Sequence, residues 1–389
     1  MKYSKLGRSD RKVSRLGLGC MRLPLLPGDE TNSNFFERLA AIDEEKAIEM
    51  IDYAIEHGIN YFDSAYPYHG GKSETILGKA IQNRREQVIL TTKSPIRNIE
   101  DPDDFERILD EQLGKMSTSY LDFYLLHGLS RKSWTKAIEF GALRFLDNIR
   151  KDGRAKFVGF SFHDDVRIFK EIVDAYDWTI CQIQYNYFDE NYQAGKEGLQ
   201  YADSKGIGVV IMEPLRGGRL TEKIPEEVQK IWDSTEQGWS PAEWGLRWVW
   251  NHPEVSIVLS GMSNMEQLKE NIRIAEDARP DSLSAHEIKI IGKVADTYRH
   301  LLKVDCTGCA YCVPCPSGVD IPSNFTLYND FYMFNELEKT QAFYNIMMPP
   351  EKRASNCEEC GECEEKCPQQ IEIIETLKEV HDHLRKDGP

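Results

Sequence analysis

Cysteine is nearly missing from the first 305 residues of this 389-residue chain, where only Cys20 and Cys181 occur. Basic residues are also in deficit, because 48 lysines and arginines stand against 64 aspartates and glutamates and leave a formal net charge of −16. Nucleic acids and anionic membranes are bound through basic patches. The charge balance therefore argues against both and predicts a protein with neither nucleic acid nor membrane as a partner.

Long apolar runs are missing as well. No stretch approaches the ~18 apolar residues that suggest a membrane-spanning helix, and the first twenty residues lack the apolar core of a secretory signal peptide. We therefore expect a cytoplasmic protein, in a compartment where disulfides are rare. Hydrophobic residues still make up 41% of the chain, which is enough for a large core.

Short apolar runs alternate with amphipathic helical patterns between residues 16 and 272. A doubly wound open sheet is one fold with this alternation, but "GLGCMR" (17–22) matches its glycine-rich turn poorly and no helical pattern follows directly. Repetition of the strand–helix unit eight times, with mostly apolar strands, favours a (β/α)₈ TIM barrel. The eight strand-like runs are 16–20, 60–64, 88–93, 121–127, 157–162, 180–186, 208–213 and 255–261.

The pattern changes after residue 280. Ser284 and Glu287 have the spacing of a capping box, and an apolar helical stripe follows them, so a further helix is predicted near 284–301. We predict two domains, a barrel over residues 1–280 and a small C-terminal domain over 281–389. The C-terminal domain is expected to be α-helical and ferredoxin-like because of the cysteines that it contains.

The other eight cysteines form two runs, each followed by proline. The second run has the C-x₂-C-x₂-C-x₃-C-P spacing of bacterial ferredoxins, and the first differs by one residue in its last gap. Zinc is the alternative metal, although zinc sites generally pair two C-x₂-C units across a longer gap. The first run is Cys306, Cys309, Cys312 and Cys315, and the second is Cys357, Cys360, Cys363 and Cys367.

Such runs usually exchange their last ligand. In two-cluster ferredoxins three cysteines at three-residue steps hold one cluster, and the fourth serves the other cluster. The spacing therefore predicts two 4Fe–4S clusters, with Cys315 and Cys367 crossing between the runs. Cys20 and Cys181 are predicted to be inert core thiols.

Ionisable residues end three successive predicted strands, namely Asp63, Lys93 and His127. Barrel enzymes keep their chemistry at the carboxyl ends of the strands. An ammonium lowers the pKa of a nearby tyrosine, a carboxylate can hold that ammonium, and a histidine can orient a carbonyl oxygen. Such a group can protonate the oxygen of a carbonyl that receives a hydride.

The segment "GINYFDSAYPYHGGKSETILGKAI" resembles the signature of the aldo–keto reductase family, in which the catalytic tyrosine follows the aspartate by five residues. The resemblance selects Tyr68 rather than Tyr66 as the partner of Asp63. It matches "TTK" to the family's lysine at Lys93 and "LLH" to its histidine at His127. The resemblance implies a (β/α)₈ barrel that uses a nicotinamide coenzyme. The cysteine-rich end is similar to that of the family members with a C-terminal ferredoxin-like domain.

The same resemblance implies the coenzyme contacts. Met212 stands where the family has an aromatic residue that stacks on the nicotinamide. Gly261 and Gln267 stand where NADP-preferring members often have lysine or arginine, so the choice between NADP and NAD stays open. The implied contacts to the nicotinamide, the pyrophosphate and the adenosine phosphate, in chain order, are Ser161, Gln184, Met212, Glu213, Leu215, Gly217, Ser263, Gln267 and Asn271.

These features predict an oxidoreductase that transfers a hydride between NADP or NAD and a small-molecule carbonyl or alcohol, with Tyr68 as the general acid or base. A nicotinamide moves two electrons and a cluster moves one, so coupling them normally requires a carrier such as a flavin. The clusters would then either relay electrons to a redox partner protein or have a structural role. The alternative function is a non-catalytic binding and electron-transfer module with a vestigial barrel site.

Overall fold

The computed structural model describes residues 1–27, 41–222, 224–306, 308 and 311–385. The chain forms two compact units, one of residues 1–217 and 241–284 and the other of residues 218–240 and 285–389. The segment 218–240 thus leaves the barrel sequence and joins the second unit. The domain boundary between residues 280 and 281 stays a prediction.

Eight parallel strands of the first unit close into a barrel in the order β10-β3-β4-β5-β6-β7-β8-β9, which confirms the predicted fold. The strands within the described residues are β1 (Tyr3–Lys5), β2 (Lys12–Ser14), β3 (Leu16–Gly19), β4 (Tyr61–Asp63), β5 (Ile89–Ser94), β6 (Leu121–Leu129), β7 (Ala155–Phe162), β8 (Ile180–Gln184), β9 (Gly208–Met212) and β10 (Val255–Ser260).

Helices follow the barrel strands and build the second unit. Those in the described part of the chain are α1 (Glu44–Glu56), α2 (Ser73–Ile81), α3 (Asp104–Lys115), α4 (Arg131–Glu139), α5 (Ala142–Lys151), α6 (Val166–Ala175), α7 (Gly195–Ser204), α8 (Glu226–Asp233), α9 (Pro241–Trp250), α10 (Met265–Ala275), α11 (Ala285–His300), α12 (Ile321–Phe334), α13 (Leu337–Ala342), α14 (Glu362–Lys366) and α15 (Ile373–Leu384). Helices α8 and α11–α15 belong to the second unit.

The barrel helices begin where the sequence provides caps. Asp43 precedes α1, and its side chain accepts a hydrogen bond from the backbone N–H of Lys46 at 3.1 Å, which satisfies one free donor of the first turn. The apolar residues of α1 recur at helical spacing and bury one face of the helix against the barrel. The buried residues of α1 are Ala47, Met50, Ile51 and Ala54.

The antiparallel hairpin β1–β2 fills the amino end of the barrel. Leu6 and Val13 are fully buried in one cluster with Ile89 and Ile180, which are the first residues of β5 and β8. Gly7 has a φ of 52°, and a Cβ there would lie 2.3 Å from the carbonyl oxygen of Thr179. With the amino end filled by apolar side chains, the polar side chains of the strands gather at the carboxyl end.

The second unit is built around a small core in which α12 and α15 pack together through Phe325, Tyr328 and Val380. Asn329 holds the segment that leads into the first cysteine run, because its side chain accepts from the N–H of Val304 and donates to the carbonyl of Val304, both at 2.8 Å. Such a paired amide contact fixes the backbone before Cys306. None of the helices in the described ranges combines the length and apolarity needed to cross a bilayer.

One ion-pair network holds the segment 218–240 in the second unit. The Arg219 guanidinium lies 2.6 Å from Asp330 Oδ2 and 3.3 Å from Glu336 Oε2. Both carboxylates are nearly buried, at 3% and 4% side-chain exposure, so the arginine compensates charges that would otherwise be costly to bury.

Candidate functional site

Four of the predicted residues meet at the carboxyl end of three adjacent barrel strands. Asp63 is the last residue of β4, Lys93 lies next to the end of β5, and His127 lies near the end of β6. Tyr68 begins a single 3₁₀ turn, Tyr68–Gly71, in the loop that follows β4. The sequence spacing and the strand order therefore place the four side chains at one edge of the barrel.

Their side chains converge on one space. Lys93 Nζ donates to Asp63 Oδ1 at 2.5 Å and to the carbonyl oxygen of Ser64 at 2.7 Å. The same nitrogen lies 5.1 Å from the centroid of the Tyr68 ring. The Tyr68 and His127 rings meet edge to face, with centroids 5.9 Å apart and an interplanar angle of 81°.

Burial divides the four residues into two pairs. Asp63 and Lys93 are 3% and 1% exposed, whereas Tyr68 and His127 are partly exposed. The buried ion pair is thus held within the barrel, and parts of Tyr68 and His127 reach the surface. This is the arrangement that a positioned proton donor needs.

The ionisation of Tyr68 differs from the sequence-based expectation. Burial raises the pKa of Tyr68 above its ordinary value, and although the positive charge of Lys93 lowers it, burial prevails. The sequence shows the neighbouring ammonium, whose lowering effect on the pKa of Tyr68 is present, but it does not show the desolvation of the phenol, which is the larger effect. Tyr68 is consequently a neutral phenol that still carries its proton.

Lys93 and His127 have opposite charge states. Burial alone would lower the pKa of Lys93, but Asp63 and Tyr68 together raise it above the ordinary value, so Lys93 is an ammonium. Burial lowers the pKa of His127 well below its ordinary value, and the nearby positive charge of Lys93 acts in the same direction. His127 is therefore a neutral imidazole, with one N–H to donate.

Gln182 is a site residue that the sequence reasoning missed. It is the middle residue of β8, and its Nε2 donates to Asp63 Oδ2 at 2.5 Å, so each carboxylate oxygen of Asp63 has a donor. The signal was present in "ICQIQ" (180–184), because residues two apart on a strand share one face. Gln182 and Gln184 therefore face the same side as the site.

We expect Gln182→Leu to lower the free energy of unfolding of the barrel by about 1–3 kcal/mol, because a buried carboxylate oxygen loses its donor. Urea unfolding followed by tryptophan fluorescence measures the change. Cys181→Ala, at the fully buried neighbouring position, is the matched control for an altered β8 without a lost hydrogen bond. Equal stability of Gln182→Leu and wild type would show that Gln182 does not hold Asp63.

A second set of buried contacts fixes the backbone of Lys93. Gln112 of α3 donates from Nε2 to the carbonyl oxygen of Lys93 at 3.1 Å and to Glu74 Oε1 at 2.6 Å. Its Oε1 accepts from the Tyr124 hydroxyl at 2.7 Å. All of these side chains are buried, so the position of Lys93 is set by the packing of α2 and α3 on the barrel.

The loop after β4 separates its two tyrosines. Tyr66 turns towards α3, where its hydroxyl donates to Glu111 Oε2 at 3.0 Å and its ring lies 4.4 Å from Lys115 Nζ. His69 has a φ of 53° and accepts from the backbone N–H of Leu23 through Nε2 at 3.1 Å. The structure thus places Tyr68, rather than Tyr66, beside Lys93 and His127.

The residues proposed for the nicotinamide lie on the next strands around the barrel. Ser161 is the next-to-last residue of β7, and its hydroxyl accepts from the N–H of Gly128 at 2.8 Å. Gln184 ends β8 and donates to Asp189 Oδ2 at 3.0 Å. Met212 ends β9 opposite Gln184 and is partly exposed. These three side chains share the edge that carries Lys93.

The residues proposed for the pyrophosphate lie in the loop after β9. Glu213 is exposed and has a φ of 53°, and Gly217 has a φ of 66°. Leu215 packs against Gly245 of α9, since a Cβ on Gly245 would lie 2.5 Å from Leu215 Cδ2. This loop turns tightly and leaves backbone groups accessible, as a diphosphate contact requires.

The residues proposed for the adenosine phosphate divide into exposed and buried positions. Ser263 is exposed, and its N–H and hydroxyl donate to Gln267 Oε1 at 2.9 and 3.2 Å. Asn271 is only 4% exposed and donates to Ser260 Oγ at 2.9 Å. Asn271 thus supports the end of β10, while Ser263 and Gln267 form the accessible part of this group at the start of α10.

The cysteines of the second unit line two cavities. One is lined by Cys315 together with Cys357, Cys360 and Cys363. The other is lined by Cys306 together with Cys367. Cys312 reaches both cavities, and Cys309 lies outside the described residues. The last cysteine of each run thus lies with the other run, which is the crossed pattern that the spacing predicts.

The thiols surround these cavities and do not converge on a point. Among the described residues, no three histidine, cysteine, aspartate or glutamate side chains are close enough to bind a single metal ion. A cubane presents four irons to four separated thiolates, so open rings of cysteines fit a cluster better than a tetrahedral zinc ion. Cys20 and Cys181 are fully buried in the first unit.

Comparison with protein families also distinguishes a barrel part and a cysteine-rich part of the chain. Residues 305–372 match the 4Fe-4S dicluster domain. Residues 15–295 match the Aldo/keto reductase family. The first match spans all the described cysteines of the two cavities, and the second spans all eight barrel strands.

Similar proteins cover about three quarters of the chain. An uncharacterized oxidoreductase, YqkF of Bacillus subtilis, is 30% identical over 75% of this chain and 95% of its own. An Escherichia coli protein named NADH-specific methylglyoxal reductase is 26% identical over 70% of this chain and 93% of its own. The holo form of aldo-keto reductase AKR11C1 from Bacillus halodurans has a TM-score of 0.62 and 27% identity, over 76% of this chain and 96% of that one. The chain belongs to the aldo/keto reductase family of oxidoreductases and carries a C-terminal 4Fe-4S domain.

Proposed function

We propose that this protein reduces small carbonyl compounds, or oxidises the corresponding alcohols, with NADP or NAD as the coenzyme. The observation that carries the proposal is the buried Lys93–Asp63 ion pair beside the partly exposed Tyr68 and His127. A vestigial site would have no need to hold this ion pair in place. The intact arrangement therefore supports an enzyme over a non-catalytic binding module.

Tyr68 is the proposed general acid. Because the phenol is protonated and partly exposed, it can give its proton to a carbonyl oxygen as negative charge develops there. Lys93 stabilises the resulting phenolate, and Asp63 keeps the ammonium in place. The neutral His127 donates a hydrogen bond that positions the same oxygen. In alcohol oxidation Tyr68 acts as the base and takes the proton back.

The coenzyme, when bound, supplies or accepts the hydride. The described residues fit such a group because Ser161, Gln184 and Met212 lie at the ends of consecutive strands beside the tetrad. Gly217, in the loop after β9, has a φ of 66°, and the lack of a side chain there permits a close approach of the backbone. The thioether of Met212 can pack on a ring face in place of an aromatic side chain.

We further propose two 4Fe–4S clusters in the second unit. Cys315, Cys357, Cys360 and Cys363 would hold one cluster. The other would be held by Cys306, Cys312 and Cys367, with Cys309 outside the described residues as its fourth ligand. Electron relay to a redox partner protein and a structural role both remain compatible with this geometry, and the cytoplasmic location stays a prediction.

The substrate class follows from the site and from the relatives. A tyrosine proton donor beside a neutral imidazole fits a carbonyl oxygen, and the name of the Escherichia coli relative describes a reductase of a small dicarbonyl compound. The proposal is tested by mixing anaerobically purified protein with NADH or NADPH and a panel of small aldehydes and ketones, and following coenzyme absorbance. Oxidation of neither coenzyme by any of these substrates would favour the non-catalytic module.

The pH dependence of the reaction follows from the two protonation states of Tyr68, the phenol and the phenolate. Tyr68 keeps its proton because burial raises its pKa, so we expect the turnover number for reduction to be constant from about pH 6 to about pH 9 and to fall only above it. Oxidation requires the phenolate and should accelerate as the pH rises. A reduction rate that falls between pH 7 and pH 9 would show that the phenol ionises early.

His127 adds a pH dependence of stability. Its pKa in the folded protein lies below that of the unfolded chain, so as the pH falls the unfolded chain binds a proton first. Its contribution to folding stability is therefore present above about pH 6.5 and is lost below that value. Urea midpoints between pH 5 and pH 8 for wild type and His127→Gln should show that the variant loses this part of the pH dependence.

A further inference from the structure

Arg22 lies between two loops that belong to the proposed coenzyme site. It ends the short 3₁₀ turn Cys20–Arg22, directly after β3. A Cβ on Gly217 would lie 2.7 Å from Arg22 Nη2, and a Cβ on Gly261 would lie 3.1 Å from Arg22 Cδ. The stem of the arginine therefore runs along the loop after β10, and its guanidinium reaches the loop after β9.

The two glycines make room for this side chain. Gly217 also has a φ of 66°, a conformation that other residues rarely adopt. A Cβ at 217 would displace the guanidinium from its present position, and a Cβ at 261 would crowd its stem. Because both side chains are absent, Arg22 can extend from the end of β3, past the loop after β10, to the loop after β9.

The guanidinium has no ion-pair partner among the described residues, and Arg22 is exposed. Arg216 of the loop after β9, by contrast, lies 3.3 Å from Asp189. A cation without an ionic partner in the described part of the chain, next to the loops after β9 and β10, is suited to an anionic ligand.

We propose that Arg22 binds the diphosphate of the nicotinamide coenzyme. The inference rests on the proposed coenzyme site and adds a residue to it. A guanidinium presents two parallel N–H donors that match two phosphate oxygens, and its position at Gly217 puts it at the loop proposed for the pyrophosphate. The adenosine-phosphate group at Ser263 and Gln267 lies further along the chain, in the turn that starts α10.

The position of the guanidinium distinguishes two roles. The diphosphate is common to NADH and NADPH, so a diphosphate contact affects both coenzymes equally. A contact to the 2′-phosphate would affect NADPH alone. Gly261 and Gln267, at the positions proposed for that phosphate, carry no positive charge. The guanidinium lies at Gly217 and only the stem lies at Gly261, which favours the diphosphate.

The test measures coenzyme binding directly, by the fluorescence of NADH and NADPH titrated with the holoprotein. We expect Arg22→Ala to weaken both coenzymes by roughly 10- to 100-fold, the loss of one charge-assisted contact. Arg22→Lys should recover part of this loss. Reduced nicotinamide mononucleotide, which lacks the diphosphate bridge, should bind wild type and Arg22→Ala equally.

Arg144→Ala is the matched control. Arg144 is an exposed arginine of α5 without an ion pair in the described part of the chain, so both dissociation constants should stay at their wild-type values. Equal affinity of Arg22→Ala and wild type, or weakening of NADPH alone, overturns the inference. If wild type binds neither coenzyme, the proposed coenzyme use fails and the role of Arg22 fails with it.

Discussion

Replacing Tyr68 with phenylalanine should lower the turnover number for carbonyl reduction by about 10²- to 10⁴-fold. The variant removes the proton donor and keeps the ring that meets His127 edge to face. Because the hydroxyl is needed only as charge develops on the carbonyl oxygen, the loss should fall on turnover and not on coenzyme affinity. Steady-state kinetics and coenzyme fluorescence titration on the same preparation measure both quantities.

Tyr66→Phe is the matched control for this prediction. The Tyr66 hydroxyl is bonded to Glu111 and lies away from Lys93, so its removal should change turnover by less than about twofold. A large loss in Tyr66→Phe with normal turnover in Tyr68→Phe would show that the wrong tyrosine has been assigned. Equal activity of both variants and wild type would mean that neither hydroxyl is the acid.

Pairs of cysteine replacements should show that the two runs share their ligands. If ligation is crossed, Cys315 and Cys360 hold the same cluster, so the double variant Cys315→Ala/Cys360→Ala should retain about four irons and four sulfides of the eight expected. The double variant Cys315→Ala/Cys306→Ala removes one ligand from each cluster, so it should retain neither cluster. The structural basis is that Cys315 lines a cavity with Cys357, Cys360 and Cys363.

The uncrossed arrangement predicts the opposite pair of results. In that case Cys306 and Cys315 would share a cluster, and their joint replacement would leave one cluster intact. Iron and acid-labile sulfide counted per chain after anaerobic purification separate the two arrangements. Cys181→Ala, which alters a buried barrel thiol, should leave both counts unchanged. Stoichiometric zinc without sulfide in the wild type would contradict both arrangements.

The barrel could be predicted in detail because its signal is local. Each strand is a short apolar run between polar turns, and strand β10 was expected at 255–261 and occurs at Val255–Ser260. Strand β4 was expected at 60–64 and occurs at Tyr61–Asp63. Parallel pairing then follows from the alternation of strands and helices, so the closed barrel needed no information beyond the pattern.

The assignment of residues 218–240 to the second unit could not be predicted, because an amphipathic helix does not specify the core against which it packs. Helix α8 buries Val228, Ile231 and Trp232 and has the pattern of another barrel helix. In the second unit, α8 packs against α11, and Arg219 of the same segment pairs with Asp330 and Glu336, which are more than a hundred residues away. Ion pairs at that separation leave no trace in local periodicity.

The candidate site was predicted in its residues but not in its energetics. The strand ends and the family resemblance identified Asp63, Lys93 and His127, and the structure brings them together with Tyr68. The sign of the pKa shift of Tyr68 depends on how much water the fold excludes, which a sequence does not state. Gln182 and Arg22 escaped notice because their roles arise from contacts between strands and loops that are far apart in the chain.

The central claim is direct hydride transfer to a carbonyl carbon at the Tyr68 site, and isotope transfer tests it most directly. The holoprotein is incubated anaerobically with a reducible aldehyde and NADH or NADPH deuterated at each of the two C4 positions in turn, and the alcohol is examined by mass spectrometry. The account predicts that deuterium from one of the two positions appears on the carbinol carbon with wild type, and that Tyr68→Phe forms the deuterated alcohol about 10²- to 10⁴-fold more slowly. Alcohol formed without coenzyme deuterium would contradict this claim, and so would deuterium transfer by Tyr68→Phe at the wild-type rate.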